Sequence, residues 1–251
     1  MASLRFDFDS HTGTPLAALL EKPDGPVRAS VLFAHCFTCT KDILAARIIA
    51  RTLVKDGFAV LRFDFTGLGH SEGEFANTNF TSNIADLRAA AAALEAHLVA
   101  PALLIGHSLG GAAVLASAKY IPSVRAVATI GAPSDPAHVL HNMQPAIAEI
   151  EAEGHAEVTL AGRVFSVEKH FLDDVRGHSL DKDIADLRRA LLVMHAPADQ
   201  TVGVENAAHI FALAKHPKSF VSLDSTDHLL SKSTDAQYTA HVIAAWVDRY
   251  V

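Results

Sequence analysis

The chain has 251 residues, of which 50% are hydrophobic and 20% are charged, and its formal net charge is −7. This composition excludes a disordered chain, because enough apolar surface is available for a large core. The negative charge excludes the basic surface that binds nucleic acid or anionic membranes. Two cysteines are too few for a disulfide framework in a chain of this length.

The start of the chain alternates apolar and polar residues over positions 4–9, which is typical of a strand and not of a secretion signal. No apolar run approaches the roughly 20 residues that a membrane-spanning helix needs. The 15 histidines are scattered, without the spacing of a metal site. We therefore expect a cytoplasmic protein that uses no metal and no cofactor and binds neither nucleic acid nor a membrane.

The predicted elements alternate between strands and helices in chain order. A hairpin is expected first, with arms at residues 4–9 and 15–20. Short apolar runs, typical of strands buried on both faces, follow at residues 29–34, 59–63, 102–105, 124–130 and 190–195, with a later strand at 219–223. Helical periodicity is found at residues 43–55, 83–98, 109–119, 204–215 and 235–251. This alternation predicts an α/β fold with a mostly parallel, doubly wound sheet and an antiparallel hairpin at its start.

A long segment interrupts the alternation before residue 190. Residues 134–189 are too many for a plain crossover, and they carry their own pattern. That pattern comprises a helix that Pro145 kinks or restarts, a small hairpin and two further helices, at residues 139–153, 156–167, 168–175 and 181–188. We predict that residues 1–133 and 190–251 form the core and that residues 134–189 form an inserted lid, or cap. A decorative excursion without a function is the alternative.

A candidate nucleophile lies at Ser108, within the sequence Gly-His-Ser-Leu-Gly between a predicted strand and a predicted helix. In that context the pattern G-x-S-x-G indicates a sharp turn that lifts the serine hydroxyl above the sheet. The N-terminus of the following helix favours developing negative charge. A glycine-rich turn that only packs closely is the alternative.

The partners of such a serine follow it in the order acid, then histidine, on loops after later strands. Asp199 follows the strand at 190–195, and His228 follows the strand at 219–223. Ser108, Asp199 and His228 are therefore the predicted catalytic residues. Asp224 and Asp227 are rival acids, but they lie too close to His228 in sequence to fold back onto it easily.

An ester or amide hydrolase also needs two amides that bind the oxyanion. The residue after the nucleophile, Leu109, supplies one, and the loop after the strand at 29–34 supplies the other. We predict the amide of Phe37 for the second donor, with the amide of Cys36 as the alternative. The same loop contains Cys36 and Cys39, separated by two residues. We expect this pair to shape the loop, while a thiol redox module is the alternative because such spacing also suits thiol–disulfide chemistry.

At these residues the chain resembles the α/β-hydrolase family. It is most similar to the hydrolase domain that precedes an OsmC-like domain in some bacterial fusion proteins, and more weakly similar to bacterial feruloyl and cinnamoyl esterases. The resemblance rests on residues 35–42, 62–69, 74–79, 106–111 and 217–228. It places the oxyanion donors at Phe37 and Leu109. Cys36 departs from the glycine usual in the feruloyl esterases.

The resulting prediction is a serine esterase that forms an acyl-enzyme and accepts short acyl or aryl-acyl groups. The predicted lid contains neither tyrosine nor tryptophan, so Phe37, Phe165 and Phe171 are the predicted substrate contacts. Thioester, amide or carbon–carbon bond hydrolysis by the same three residues is the alternative within enzymes. The expected partner is a small-molecule ester, and self-association as a homodimer is left open.

Overall fold

A computed structural model describes residues 2–251, so the first residue of the predicted core lies outside the described residues. The strands are β1 (Ala2–Arg5), β2 (Phe8–Asp9), β3 (Pro15–Leu16), β4 (Ala18–Lys22), β5 (Ala29–Ala34), β6 (Phe58–Phe63), β7 (Pro101–His107), β8 (Ala126–Ile130), β9 (His155–Leu160), β10 (Arg163–Glu168), β11 (Ala190–His195) and β12 (Lys218–Ser222). The α-helices are α1 (Leu44–Lys55), α2 (Phe80–His97), α3 (Leu109–Ser117), α4 (Gln144–Glu153), α5 (Lys169–Gly177), α6 (Asp181–Ala185), α7 (Glu205–Leu213) and α8 (Ser233–Val247). Short 3₁₀ segments occur at Phe75–Asn77, Ala118–Tyr120 and Pro136–Met143.

The central sheet has eight strands in the order β1-β4-β6-β5-β7-β8-β11-β12. The pairs β1–β4 and β4–β6 are antiparallel, and the strands from β6 to β12 are parallel. The predicted α/β fold with an antiparallel start is therefore confirmed. The predicted first hairpin is divided in two, because β2 and β3 pair with each other in a separate small sheet.

Helices cover both faces of this sheet, and the alternation of side chains along β5 explains why. Leu32 lies in one apolar cluster together with residues of α2 and α3. Val31 and Phe33 point to the opposite face, where they join residues of α1 and α8. A strand whose two faces are both covered by helices needs side chains that are nearly all apolar.

Helix α2 begins three residues earlier than its periodicity predicts. Asn79 accepts a hydrogen bond from the Ser82 amide at 2.8 Å, and Ser82 Oγ accepts one from the Asn79 amide at 2.9 Å. This reciprocal capping box satisfies two backbone donors at the helix start. The helix start is therefore set by its cap and not by its apolar residues.

The segment between β8 and β11 adds no strand to the central sheet within the described residues. Its strands β9 and β10 pair with each other, and the predicted small hairpin is present. Pro145 lies in the first turn of α4, where its missing amide hydrogen is tolerated. Thr81 at the start of α2 donates from its amide and its hydroxyl to Asp174 of α5, at 2.9 and 2.7 Å, which fastens this segment to the core.

Candidate active site

Ser108 lies on the turn between β7 and α3, and its backbone has φ 53° and ψ −126°. This conformation is strained for a residue other than glycine and persists only where its surroundings hold it. The Ser108 amide donates to the Ile130 carbonyl at 2.8 Å. Neither Gly106 nor Gly110 has room for a side chain, because a Cβ atom on either would collide with neighbouring backbone. The turn therefore requires both glycines of the motif.

Asp199 lies on the loop after β11, as predicted, and is buried. Its Oδ1 accepts hydrogen bonds from the amides of Thr201 at 2.8 Å and Val202 at 3.0 Å. Burial acts to raise the pKa of the Asp199 carboxyl, but hydrogen bonds from His228 and these amides outweigh burial and lower that pKa below its usual value. Asp199 is therefore an ionised, fixed carboxylate at neutral pH.

His228 lies on the loop after β12 and contacts both other predicted residues. Its Nδ1 is 2.7 Å from Asp199 Oδ2, and its Nε2 is 2.9 Å from Ser108 Oγ. Hence the structure brings together three residues separated by up to 120 positions in sequence. Asp224 and Asp227 bind serines instead, since Asp224 accepts from Ser222 Oγ at 2.6 Å and Asp227 accepts from the Ser231 amide at 2.9 Å.

Two buried histidines support these loops, and the sequence analysis did not identify either. His107 ends β7 and donates from Nε2 to the backbone carbonyl of His228 at 2.7 Å. His195 ends β11 and donates from Nε2 to the carbonyl of Val202 at 2.7 Å. Burial, and next the nearby His228, lower the pKa of His107 to about 4, so His107 is neutral at pH 7. The one available signal is that each histidine ends a strand directly before a predicted site loop.

A cleft of about 320 Å³ opens at Ser108 and His228. Its other lining residues are Cys36, Phe37, Thr38, Cys39, Asn142, Thr159, Leu160, Ala161, Thr201 and Leu229. A second cavity, of about 20 Å³, is mostly apolar and is lined in part by Phe37, Leu109 and Phe171. Phe37 therefore borders both spaces, and Leu109 borders the second.

The three predicted aromatic contacts share a cluster around a fourth ring, Phe75. The ring centroids of Phe37 and Phe171 are 5.7 Å apart, and those of Phe75 and Phe165 are 4.8 Å apart. Phe37 also lies 5.8 Å from Phe75. Among the described residues Phe165 lines neither cavity, and its ring instead packs between Phe75 and the guanidinium of Arg163. Phe75 was not predicted, because it lies in the short 3₁₀ segment Phe75–Asn77, far from the other three rings in sequence.

Buried charged side chains hold the end of the loop after β5. Lys41 donates from its amide to Asp64 Oδ1 at 2.6 Å and from Nζ to Asp64 Oδ2 at 2.7 Å. Arg62, which is buried with Glu21, donates to the Lys41 carbonyl. Breaking such a buried pair on one side leaves an uncompensated charge, so the network fixes the end of the loop at Lys41.

The chain is similar to known proteins over most or all of its length. A family model described as Serine aminopeptidase, S33 (Hydrolase_4) matches residues 25–175. The esterase domain of a Rhodothermus marinus protein is 49% identical in sequence and has a TM-score of 0.81, over 100% of this chain and 99% of that one. The chain belongs to this α/β-hydrolase family. The predicted resemblance to the α/β hydrolases is therefore confirmed.

The hydrolase also shares its fold with more distant enzymes. Est1E from Butyrivibrio proteoclasticus, solved with ferulic acid bound, is 18% identical with a TM-score of 0.79, over 97% of this chain and 98% of that one. XC6422 from Xanthomonas campestris, described as a serine hydrolase without a lid, is 19% identical with a TM-score of 0.68, over 98% and 95% of the two chains. No curated protein matches the hydrolase.

The described part of the hydrolase has neither a cluster of metal ligands nor a helix suited to a membrane. Across residues 2–251, no group of three or more histidine, cysteine, aspartate or glutamate side chains is arranged to hold a metal ion. None of the helices in that range is long and apolar enough to cross a membrane.

Proposed function

We propose that the hydrolase cleaves carboxylic esters of short acyl or aryl-acyl groups, with Ser108 as nucleophile, His228 as base and Asp199 as the orienting acid. One observation carries this proposal. The three side chains form a continuous chain of hydrogen bonds, at 2.9 Å from Ser108 to His228 and 2.7 Å from His228 to Asp199. A serine hydroxyl is a weak nucleophile, and this arrangement is the one that activates it.

The proposed reaction has two halves. Ser108 Oγ attacks the acyl carbon while its proton moves to His228 Nε2, and that proton is then given to the leaving alcohol. Water next attacks the acyl carbon of the acyl-enzyme while His228 Nε2 accepts its proton. The bond from the acyl carbon to Ser108 Oγ then breaks, His228 returns the proton to Ser108 Oγ, and the free acid leaves. Throughout, Asp199 Oδ2 accepts from His228 Nδ1, which fixes the tautomer and stabilises the charged imidazole.

The negative oxygen that forms in each half needs donors already in place. The amide of Leu109 lies in the first turn of α3, where amides have no partner within the helix. The amide of Phe37 belongs to the loop that borders both the cleft and the small cavity. We assign these two amides to the oxyanion, as the sequence predicts.

The residues that line the cleft favour an ester over a peptide. An aminopeptidase needs an anionic group for the charged amino terminus of its substrate. Among the described residues that line the cleft there is no aspartate or glutamate. The adjoining cleft at His228 is lined by Asp199 and Asp227, but Asp199 binds His228 and Asp227 binds the Ser231 amide. The relative from Rhodothermus marinus is described as an esterase domain, which supports the same conclusion.

The cleft also bears on the size of the acyl group. Thr159, Leu160 and Ala161, at the turn of the β9–β10 hairpin, form part of its wall. We therefore propose that residues 134–189 act as a cap over a core formed by residues 1–133 and 190–251. A cleft bounded in this way accepts a short chain, and methylenes beyond its end gain none of the roughly 0.8 kcal/mol that each buried CH₂ contributes.

The test of this function is kcat/KM over a series of p-nitrophenyl esters from acetate to dodecanoate. We expect a maximum between acetate and about hexanoate, since the bounded cleft stops rewarding added methylenes. Alanine p-nitroanilide serves as the peptide-like comparison and should react far more slowly. A maximum at dodecanoate with activation at an oil–water interface, or a faster anilide, would contradict the proposal.

His107 offers a test of how the base is positioned. Replacing His107 with methionine removes the donor to the His228 carbonyl while filling much of the space, and we expect kcat to fall roughly 10–100-fold, equivalent to about 1.4–2.7 kcal/mol. KM should change little, because the imidazole shifts and the cleft does not. His107→Gln keeps a donor near the same place and should recover most of the loss. Equal kcat in the two variants, whether lowered or not, would mean that the hydrogen bond to the His228 carbonyl does not position the base.

A further inference from the structure

The loop that carries the proposed oxyanion donor is closed by a disulfide between Cys36 and Cys39. Both cysteines line the cleft that holds Ser108, and Phe37 lies between them in sequence. Cys36 is buried, whereas Cys39 is half-exposed. A bond between two sulfurs is therefore part of the cleft wall, and Cys39 is the more exposed of the two residues that form it.

The turn that this disulfide closes has a conformation that needs support. The Cys39 amide donates to the Cys36 carbonyl at 3.0 Å, and Thr38 between them has φ 57°. A threonine disfavours this left-handed backbone and keeps it only where the surroundings enforce it. Thr38 Oγ1 donates to the Phe37 carbonyl at 2.7 Å, and Arg163 of β10 donates to the Thr38 carbonyl. The cross-link adds a covalent restraint to these two bonds.

We propose that Cys36–Cys39 is a thiol–disulfide exchange site within the substrate cleft, and that its oxidised form holds the Phe37 amide in place for ester hydrolysis. The second half of this proposal rests on the proposed function. The reacting partner is a small dithiol, which is compact enough to enter a cleft of about 320 Å³. The loop thus has two covalent states, which differ in how tightly the oxyanion donor is held.

The exchange balances as a two-electron transfer. One thiolate of the dithiol attacks Sγ of Cys39, the protein disulfide breaks, and Cys36 leaves as a thiolate that takes up a proton. The second thiol of the reagent then attacks its own sulfur in the mixed disulfide and releases Cys39. The reagent ends as a cyclic disulfide, the protein ends with two thiols, and an oxidised dithiol reverses the sequence.

The chemistry of the oxyanion sets the size of the expected effect. Removal of a whole oxyanion donor lowers kcat by about 10²–10³. Reduction displaces the Phe37 amide without removing it, so we expect a loss of roughly tenfold in kcat, with KM nearly unchanged. The network at Lys41 and Asp64 holds the end of the loop in both states, so the overall fold should persist.

The experiment uses the full chain in two redox states. Protein is treated with dithiothreitol or its oxidised form, freed of reagent by gel filtration without oxygen, alkylated with iodoacetamide and weighed. We expect no alkylated cysteine in the oxidised sample and two in the reduced one. In parallel, unalkylated samples are assayed with p-nitrophenyl acetate. The kcat of the reduced sample should be roughly tenfold lower than that of the oxidised one, and reoxidation should restore it. The double variant Cys36→Ser/Cys39→Ser should have a kcat close to that of the reduced wild-type protein, and dithiothreitol should not change that kcat.

Each of the other possible outcomes would refute one identifiable part of the proposal. Two thiols that no oxidised dithiol can join would refute the exchange site. A reversible disulfide with equal kcat in both states would refute its link to the oxyanion loop. Absence of esterase activity in both states would refute the proposed function instead, while the alkylation count would still decide the exchange site. Because the two states are made from wild-type protein, the test stands even if the double variant misfolds.

Discussion

Replacing Ser108 with alanine is expected to lower kcat for p-nitrophenyl acetate by roughly 10⁴–10⁶-fold. The substitution removes Oγ, which lies 2.9 Å from His228 Nε2, and no other hydroxyl takes its place in that contact. The cleft and the amides proposed to bind the oxyanion stay, so a small residual rate above that of water should persist. Steady-state hydrolysis measured at saturating ester, with a circular dichroism spectrum to verify folding, checks this expectation.

The matched control for this variant is Ser225→Ala. Ser225 is exposed and lies in the same loop as His228, so its hydroxyl should be irrelevant to the reaction. We expect wild-type kcat from this variant. A Ser108→Ala protein that kept more than about one hundredth of the wild-type rate would show that another group is the nucleophile.

The second large effect is expected at Asp199. Asp199→Asn keeps the shape of the side chain but offers an amide to His228, so the imidazole adopts the wrong tautomer and kcat should fall by about 10⁴. In the wild-type protein a carboxylate oxygen of Asp199 lies 2.7 Å from His228 Nδ1 and accepts its hydrogen bond. An amide nitrogen in that place would be a second donor facing the donor at Nδ1.

Asp227→Asn is the control for the acid, because Asp227 is next to His228 in sequence and binds Ser231. Its kcat should stay close to that of the wild type. If Asp227→Asn lost activity while Asp199→Asn kept near-wild-type turnover, the acid would be assigned to the wrong residue. Both variants are compared at equal ester concentrations and after the same test of folding.

Much of this fold is predictable from local sequence, for a physical reason. A strand buried on both faces is apolar along nearly all of its length, so the run at residues 29–34, with Ser30 as its one polar side chain, agrees with β5 in both bounds. Helix α2 was less predictable, because Asn79 and Ser82 set its start through hydrogen bonds and not through periodicity. Of the two outcomes expected at Pro145, a kink or a restart, the structure has the restart: a 3₁₀ segment ends at Met143 and α4 begins at Gln144, with Pro145 in its first turn.

Some features of the candidate site were likewise predictable from sequence, and others were not. The turn at Ser108 has a local signature, since two glycines flank it where strand meets helix. Asp199 and His228 were placed by chain order and by the strand ends that they follow. His107 had no such signature, because its partner is a backbone carbonyl 121 positions away. The bond between Cys36 and Cys39 was also beyond the sequence, which shows the spacing of two sulfurs and not whether they are joined.

The measurement that tests the central claim most directly is covalent labelling with a fluorophosphonate, followed by peptide mass spectrometry. An activated serine beside an oxyanion site reacts with this reagent, whereas an ordinary serine does not. We predict one adduct on the peptide that contains Ser108, complete loss of ester hydrolysis with that adduct, and no adduct in Ser108→Ala. Folded protein that hydrolyses esters but carries its adduct on a different residue, or takes up no label at all, would contradict the account.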